Sequence, residues 1–237
     1  MNSSRVLIVN PNASERCSAG IRAAAARHGG IGLSIEVATA VDGPSYVETL
    51  RDELVAASAV VRLLEESART AAQDFDAVII ACSSDPGVEA VRETFPVPVL
   101  GIGESALLLA RGTGRPYGIL TNTNSDEPYM WAQARRYGLE ANLVAVEAAG
   151  FTVEDFDLRR EGTGAGLLAA GSRAVRAGAQ SLCLGCAAMA GLDVDLAQSL
   201  GVPIFEGVAS AIRLLATYLD LRPSAFAAAQ PRVLDAG

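Results

Sequence analysis

The chain has 237 residues, 50% of them hydrophobic and 19% charged, with a formal net charge of -8. That length supports one large domain or two small ones with real cores, and the acidic balance speaks against a nucleic-acid partner, which needs a basic face. All 19 basic residues are Arg, so no Lys can form a Schiff base with pyridoxal phosphate or a carbonyl substrate, or serve a Walker-type phosphate loop.

The opening "MNSSRVLIVNPN" enters a strand at once, with no cleavage site behind an apolar region. No apolar run approaches the roughly 20 residues of a membrane span. A cytoplasmic protein is expected, with no membrane partner. Four cysteines in a chain this long are not a disulfide framework, so reduced thiols are the default. Residues 5–10 (RVLIVN) predict a strand, and 14–30 a helix capped by Ser14 or Asn12 and stopped by Gly29-Gly30. His28, the one histidine, falls in the last turn of that helix. A partly cationic ring suits the dipole there, and Ser-His-Asp or Cys-His designs lose their base. Residues 33–40 alternate as a strand does, and 45–73 predict one long helix or two. A strand at 76–82, a helix at 87–95, a strand at 98–102 and a helix at 104–112 come next. Strands alternating with helices imply a parallel sheet covered on both faces.

From residue 116 the pattern starts again. "VLIVNPNAS" (6–14) matches "YGILTNTNS" (117–125), "AVIIACSSD" (77–85) matches "SLCLGCAAM" (181–189), and the segment from Val97 matches the segment from Val202. Three matches in one order, at offsets of 111, 104 and 105, predict two pseudo-symmetric α/β halves, 1–114 and 115–237. Each is a mainly parallel sheet flanked by helices, with the active site in the cleft between them. The 210–237 helix is a candidate for a swap onto the first half.

In open α/β sheets ligands bind beyond the carboxyl ends of the strands. Cys82 and Cys186 fall at equivalent strand ends of the two halves, and a pseudo-twofold relation makes them face each other. Two acids on opposite faces of a planar carbanion can remove a proton from one hand and return it to the other. A Cys has pKa near 8.5, lowered at helix N-termini. Each of these two precedes a turn and a helix-forming segment, which predicts tuning toward the operating pH. Backbone N–H groups after each Cys can hold an enolate or carboxylate without Lys or metal. No cofactor and no metal are expected. Cys183 makes C-x-x-C with Cys186, but it lies inside an apolar strand and reads as packing. Cys17, in the first turn of a helix bordering the cleft, reads as packing with a reactive role second. Asp85 reads as closing the turn before Pro86 and capping the next helix. Glu104 reads as a helix-start cap, with ligand contact second. "GTGAG" (162–166) reads as a loop rather than a phosphate cradle.

The segments "VNPNAS" (9–14), "DGPSYVE" (42–48), "ACSSDPGVEAVRE" (81–93), "GILTNTNSDEP" (118–128), "LGCAAMAG" (184–191) and "GVPIFEGV" (201–208) together resemble the Asp/Glu racemase superfamily, and within it the hydantoin/allantoin racemase family. The resemblance implies cofactor-independent racemisation with Cys82 and Cys186 as the two acid/bases. It also implies ligand contacts at Asn12, Tyr46, Ser83, Ser84, Thr121, Asn122 and Ala187. The implied partner is a small molecule (a hydantoin, a ureide or an amino-acid-like compound), and a homo-oligomer is expected. Hydantoin racemases usually carry an aromatic residue directly after the first Cys, where this chain has Ser83, and Gly where it has Ala188. The first change makes the wall smaller and more polar. An Asp/Glu-type racemase, a maleate-type isomerase, an arylmalonate-type decarboxylase and a non-catalytic binding protein are the alternatives. A decarboxylase needs one proton donor, so two retained thiols count against it; an isomerase uses one Cys as nucleophile, and the "VNPNAS" and "DPG" segments fit it less well.

Overall fold

The computed structural model describes residues 3–28, 32–69 and 75–220. Within them the chain builds two four-stranded parallel sheets. The first holds β1 (Ser4–Asn10), β2 (Leu33–Thr39), β3 (Ala77–Ile80) and β4 (Val99–Gly101) in the order β2-β1-β3-β4. The second holds β5 (Tyr117–Thr121), β6 (Leu143–Ala148), β7 (Leu182–Leu184) and β8 (Ile204–Phe205) in the order β6-β5-β7-β8. The two orders are the same pattern, as the internal repeat predicts. Val6–Val9 and Ala77–Ile80 pair residue for residue at the centre of the first sheet. All eight are buried, which explains why these strands read as continuous apolar runs.

Nine α-helices occur among the described residues: α1 (Glu15–Ala26), α2 (Leu50–Arg69), α3 (Val88–Thr94), α4 (Ile102–Gly112), α5 (Glu127–Arg136), α6 (Val153–Asp157), α7 (Thr163–Arg176), α8 (Asp193–Leu200) and α9 (Gly207–Asp220). Ser14 caps α1, its Oγ accepting from Cys17 N at 3.2 Å, a contact worth about 1 kcal/mol. The predicted helix over 45–73 begins at Leu50 instead. Thr49 and Asp52 form a reciprocal cap, with Asp52 N donating to Thr49 Oγ1 at 3.2 Å and Thr49 N to Asp52 Oδ2 at 3.0 Å. Residues before that cap form a connecting segment, pinned where Gly43 passes Pro11. A Cβ at Gly43 would sit 2.4 Å from the Pro11 carbonyl oxygen.

Two other expectations change. "GTGAG" is not a loop: Gly162, at φ 89°, caps α7 and the rest is its first turn. Gly166 lets that turn pass close to Phe151 and the Ala149 carbonyl. His28 lies just past α1 with Arg213 Nη2 3.4 Å from its Nδ1. Burial and that guanidinium hold its pKa below the usual histidine range, which works against the cationic ring the sequence suggests. The double glycine 29–30 lies outside the described residues.

The two halves exchange helices. Val208, Ala211, Ile212 and Leu215 of α9 share a core with Val6, Ile8 and Ile79 of the first sheet. In return Ala106, Leu107 and Ala110 of α4 join Tyr117 and Ile119 of the second. Burying each large aliphatic side chain contributes about 1.5–3 kcal/mol. The exchange therefore fixes how the halves meet and holds the cleft between them. Residues 221–237, the rest of the predicted swap, lie outside the described residues. No described helix is long and apolar enough to cross a membrane.

Candidate active site

β3 ends at Ile80 and β7 at Leu184. Cys82 and Cys186 come at the same distance beyond each strand and line one cavity of about 310 Å³ between the halves. Asn12, Ser83, Ser84, Thr121, Asn122 and Ala187 line it too. Tyr46 does not. Its hydroxyl donates to Asp157 Oδ2 at 3.0 Å, and Ser14 Oγ donates to the same oxygen at 2.8 Å. Tyr46 thus ties the segment before α2 to α6, while its neighbour Val47 faces the cavity. Asn12 has a second duty: its Oδ1 accepts from Ser14 N at 2.9 Å and from Asn10 Nδ2 at 3.0 Å.

The two thiols sit in related settings. Cys82 Sγ is 3.4 Å from Ser84 Oγ, and the Ser84 N–H favours its thiolate. The Ala188 N–H, at the equivalent position of the repeat, does the same for Cys186. Neither thiol is tuned downward, contrary to the sequence expectation. Burial pushes Cys82 up to about 11 against its Ser84 hydrogen bonds, with the Asp85 and Glu53 charges adding to the rise. Burial likewise pushes Cys186 far above the usual thiol range. The reason is local. α3 starts only at Val88, and the segment after Cys186 is a single 3-10 turn, Ala187–Met189. No helix dipole therefore points at either sulfur strongly enough to offset that desolvation. Charge on Cys82 raises Cys186 further, so the coupling disfavours two thiolates at once.

Buried Ser83 Oγ and Asn122 Nδ2 have no hydrogen-bond partner among the described residues. The Asn122 amide leans toward Cys186 and favours its thiolate without completing a hydrogen bond. Cys17 is buried at the cavity wall, and burial followed by the Asp157 charge pushes its thiol up to about 12. Cys183 is buried and donates to the Ala106 carbonyl at 3.4 Å. Glu104 lies in the first turn of α4 and pairs with Arg92.

Asp85 closes the turn before Pro86 as predicted, its N–H donating to the Cys82 carbonyl, but it caps α4, not the nearer α3, whose cap is Gly87. Its carboxylate accepts from Gly103 N at 2.9 Å and Glu104 N at 2.7 Å. Burial pushes its carboxyl up to about 7, opposed by those two N–H groups and by the Tyr137 hydroxyl.

Sequence reading missed the charged residues of the wall, Glu48, Glu53 and Asp126. Glu53 is half-buried, and burial holds its carboxyl above the usual range. Nothing local marks it, because a Glu one turn into a helix ordinarily faces solvent. Asp126 is already engaged by Thr123 N at 2.8 Å. No Arg or His lines the cavity among the described residues. No group of three or more His, Cys, Asp or Glu among them is placed to hold a metal ion.

A hydantoin racemase of Paenarthrobacter aurescens is 30% identical over 219 residues, 92% of either chain. The allantoin racemase of Pseudomonas fluorescens superposes with a TM-score of 0.85 at 29% identity, covering 92% of this chain and 91% of that one. The allantoin racemase of Klebsiella pneumoniae superposes at 0.86 with 27% identity, covering 92% and 89%. The same fold is thus found in proteins that share over a quarter of its sequence. With residues 6–215 matching the Asp/Glu/Hydantoin racemase model, the chain belongs to that family of racemases.

Proposed function

We propose that the protein racemises a neutral carbon acid, a 5-substituted hydantoin or allantoin, by proton transfer between Cys82 and Cys186. The observation that carries this reading is the pair of thiols at repeat-equivalent positions on one cavity. In one direction the thiolate of one Cys takes the hydrogen from the ring carbon next to the carbonyl. The electron pair passes into that carbonyl to give an enolate. The thiol of the other Cys then returns a proton to the opposite face, and the negative charge ends on its sulfur. The next turnover in the reverse sense starts from that state. A raised thiol pKa helps the first step: the thiolate is scarce at neutral pH but is a stronger base toward carbon. Ser83 Oγ and Asn122 Nδ2, lacking protein partners, are the donors available to the ring carbonyls as charge develops.

Electrostatics select the substrate class. The charged side chains on the wall are Glu48, Glu53 and Asp126. A substrate carboxylate 4 Å from one of them would be repelled by about 4 kcal/mol at an effective dielectric of 20. That disfavours aspartate, glutamate, maleate and malonates, and leaves neutral rings with an acidified C–H. A cavity near 310 Å³ is at the small end for ligand sites, which suits one ring with a modest substituent. We place the reaction in the cytoplasm, where thiols stay reduced, and in a homo-oligomer. Polarimetry on chiral 5-substituted hydantoins, allantoin, aspartate and glutamate tests the reading, together with α-hydrogen exchange in deuterated water. Racemisation of the amino acids but of no ring substrate would overturn it.

A further inference from the structure

The two halves repeat each other, yet the loops that carry the two thiols are not held alike. The repeat sets Met189 opposite Asp85 and Glu206 opposite Gly101. One matched pair of bonds confirms the register: Ser105 Oγ donates to the Gly101 carbonyl and Ser210 Oγ to the Glu206 carbonyl, each at 2.6 Å. In the second half, Glu206 caps its own helix, accepting from Val208 N and Ala209 N, each at 2.8 Å. In the first half the equivalent N–H groups, Gly103 and Glu104, are capped by Asp85. The carboxylate has moved from the strand end to the thiol loop. Gly101 makes room for it, since a Cβ there would lie 2.1 Å from Asp85 Oδ1. Met189, in the Asp85 position, is fully buried among apolar side chains of the second half.

A second anchor reaches the same loop from the other half. Gln133 of α5 donates through Nε2 to the Ser83 carbonyl at 2.5 Å and to Asp85 Oδ2 at 3.1 Å. Tyr137, just past α5, donates to the same Asp85 oxygen at 2.8 Å. Every partner of the Asp85 carboxylate is thus a donor, and two of them cross the interface. Asp85 itself is held at φ 54°, a left-handed conformation that a non-glycine residue keeps only when its surroundings enforce it. Its N–H closes the turn onto the Cys82 carbonyl at 3.0 Å. No first-half side chain hydrogen-bonds the Cys186 turn among the described residues; the first half meets it through apolar packing on Ala187 and Ala190 instead. Its Ala190 carbonyl accepts from Arg159 of its own half at 3.0 Å.

On the two-thiol reading, we propose that Gln133, acting through Ser83 and Asp85, is a positioning residue for Cys82 alone, so that the second half aims the thiol of the first. Gln133 touches neither cavity thiol. Its effect is on where the sulfur sits over one face of the substrate. Two enantiomers are equally stable, so kcat/KM must stay equal in the two directions whatever is mutated. Overall racemisation cannot reveal a one-face defect, and exchange can.

The test pairs Gln133→Leu with Cys186→Ser, where Cys82 is the working thiol, and separately with Cys82→Ser. Exchange of the α-hydrogen of a 5-substituted hydantoin with deuterated water is read by NMR. Gln133→Leu should slow exchange by Cys82 about tenfold or more, the scale of a small misplacement of a reacting group. It should leave exchange by Cys186 within about twofold. A merely structural lesion slows both, and that outcome, or no change in either, overturns the proposal. Iodoacetamide labelling of the otherwise wild-type protein gives a readout independent of turnover. Gln133→Leu should speed labelling of Cys82 by loosening its loop and leave Cys186 unchanged; equal change at both sites overturns the claim. Where neither single-Cys variant exchanges hydrogen, the two-thiol reading fails, and labelling still decides whether Gln133 holds Cys82. Tyr137→Phe, which removes one donor to Asp85 and no apolar contact, should show the same bias to a smaller degree if Gln133→Leu does not fold.

Discussion

Alkylation of Cys82 by iodoacetamide is expected to be slow at neutral pH and to accelerate steadily into the alkaline range. Burial pushes this thiol up to about 11, outweighing the hydrogen bonds from Ser84. At pH 8 an ordinary cysteine of pKa about 8.5 is about one-quarter thiolate, whereas a thiol at about 11 is ionised to about one part in a thousand. The deficit is about 200-fold, and the greater nucleophilicity of a more basic sulfur offsets about tenfold of it. Cys82 should therefore react about 20-fold more slowly than free cysteine at pH 8, and about tenfold faster for each unit up to pH 10. The direction is set by the reactive form being the anion: a raised pKa withholds the thiolate at low pH and releases it as pH rises. Timed quenches and peptide mass spectrometry give the rate. Cys17 provides an internal reference, since burial places it still higher, at about 12. A labelling midpoint below pH 9, or a rate above that of free cysteine at pH 7, refutes the reasoning. It would mean that the backbone N–H groups outweigh desolvation, as the sequence alone suggests.

Cys82→Ser and Cys186→Ser should each nearly abolish racemisation while leaving α-hydrogen exchange on one enantiomer, opposite for the two variants; racemisation at the wild-type rate in both would make the thiols structural. Ile212→Ala, in the exchanged helix α9, should cost about 2–5 kcal/mol in urea unfolding, the usual range for truncating a buried aliphatic side chain; a loss below about 1 kcal/mol would mean that the helix contributes little to the first sheet's core. Ser14→Ala should cost about 1 kcal/mol as a lost cap and also loosen Asp157, seen as faster hydrogen exchange at α6. Turnover should survive exhaustive chelation, and activity lost to EDTA and restored by zinc would count against a thiol-only reaction.

Much of the fold is legible in the sequence because it is written twice. Buried central strands such as "VLIV" and "AVII" show as apolar runs, and their repetition at nearly constant offset gives the two sheets before any contact is known. The start of α2 is missed because periodicity extends an apolar pattern backward past Thr49, while the reciprocal bonds of Thr49 and Asp52 mark the true start. "GTGAG" misleads for a related reason. Glycines suggest a loop, yet Gly162 supplies one left-handed residue and Gly166 a close approach, both serving a helix.

The site is legible to the extent that it lies on the repeat. Cys82 and Cys186 stand out because each is the same step beyond a matched strand. Residues that act across the interface have no such signature. Gln133 looks like any polar residue on a helix, and only the docking of the halves brings it to the Cys82 loop; Glu53 looks like a solvent-facing residue, although it lies on the cavity wall. Tyr46 fails in the opposite sense. It sits inside a recognisable motif, but its hydroxyl is taken by Asp157, a residue 111 positions away. The same logic explains why the thiol pKa values rise rather than fall. Each Cys runs directly into a turn, which promises N–H groups, whereas the desolvation that dominates comes from the tertiary packing around the cleft. Duplication therefore accounts for the symmetric part of the chemistry, two sulfurs and two flanking amides. Where the copies diverge, with Asp85 set against Met189 and Gly101 against Glu206, the symmetry is broken at the thiol loops. That divergence is where two faces of one substrate carbon can come to be served unequally.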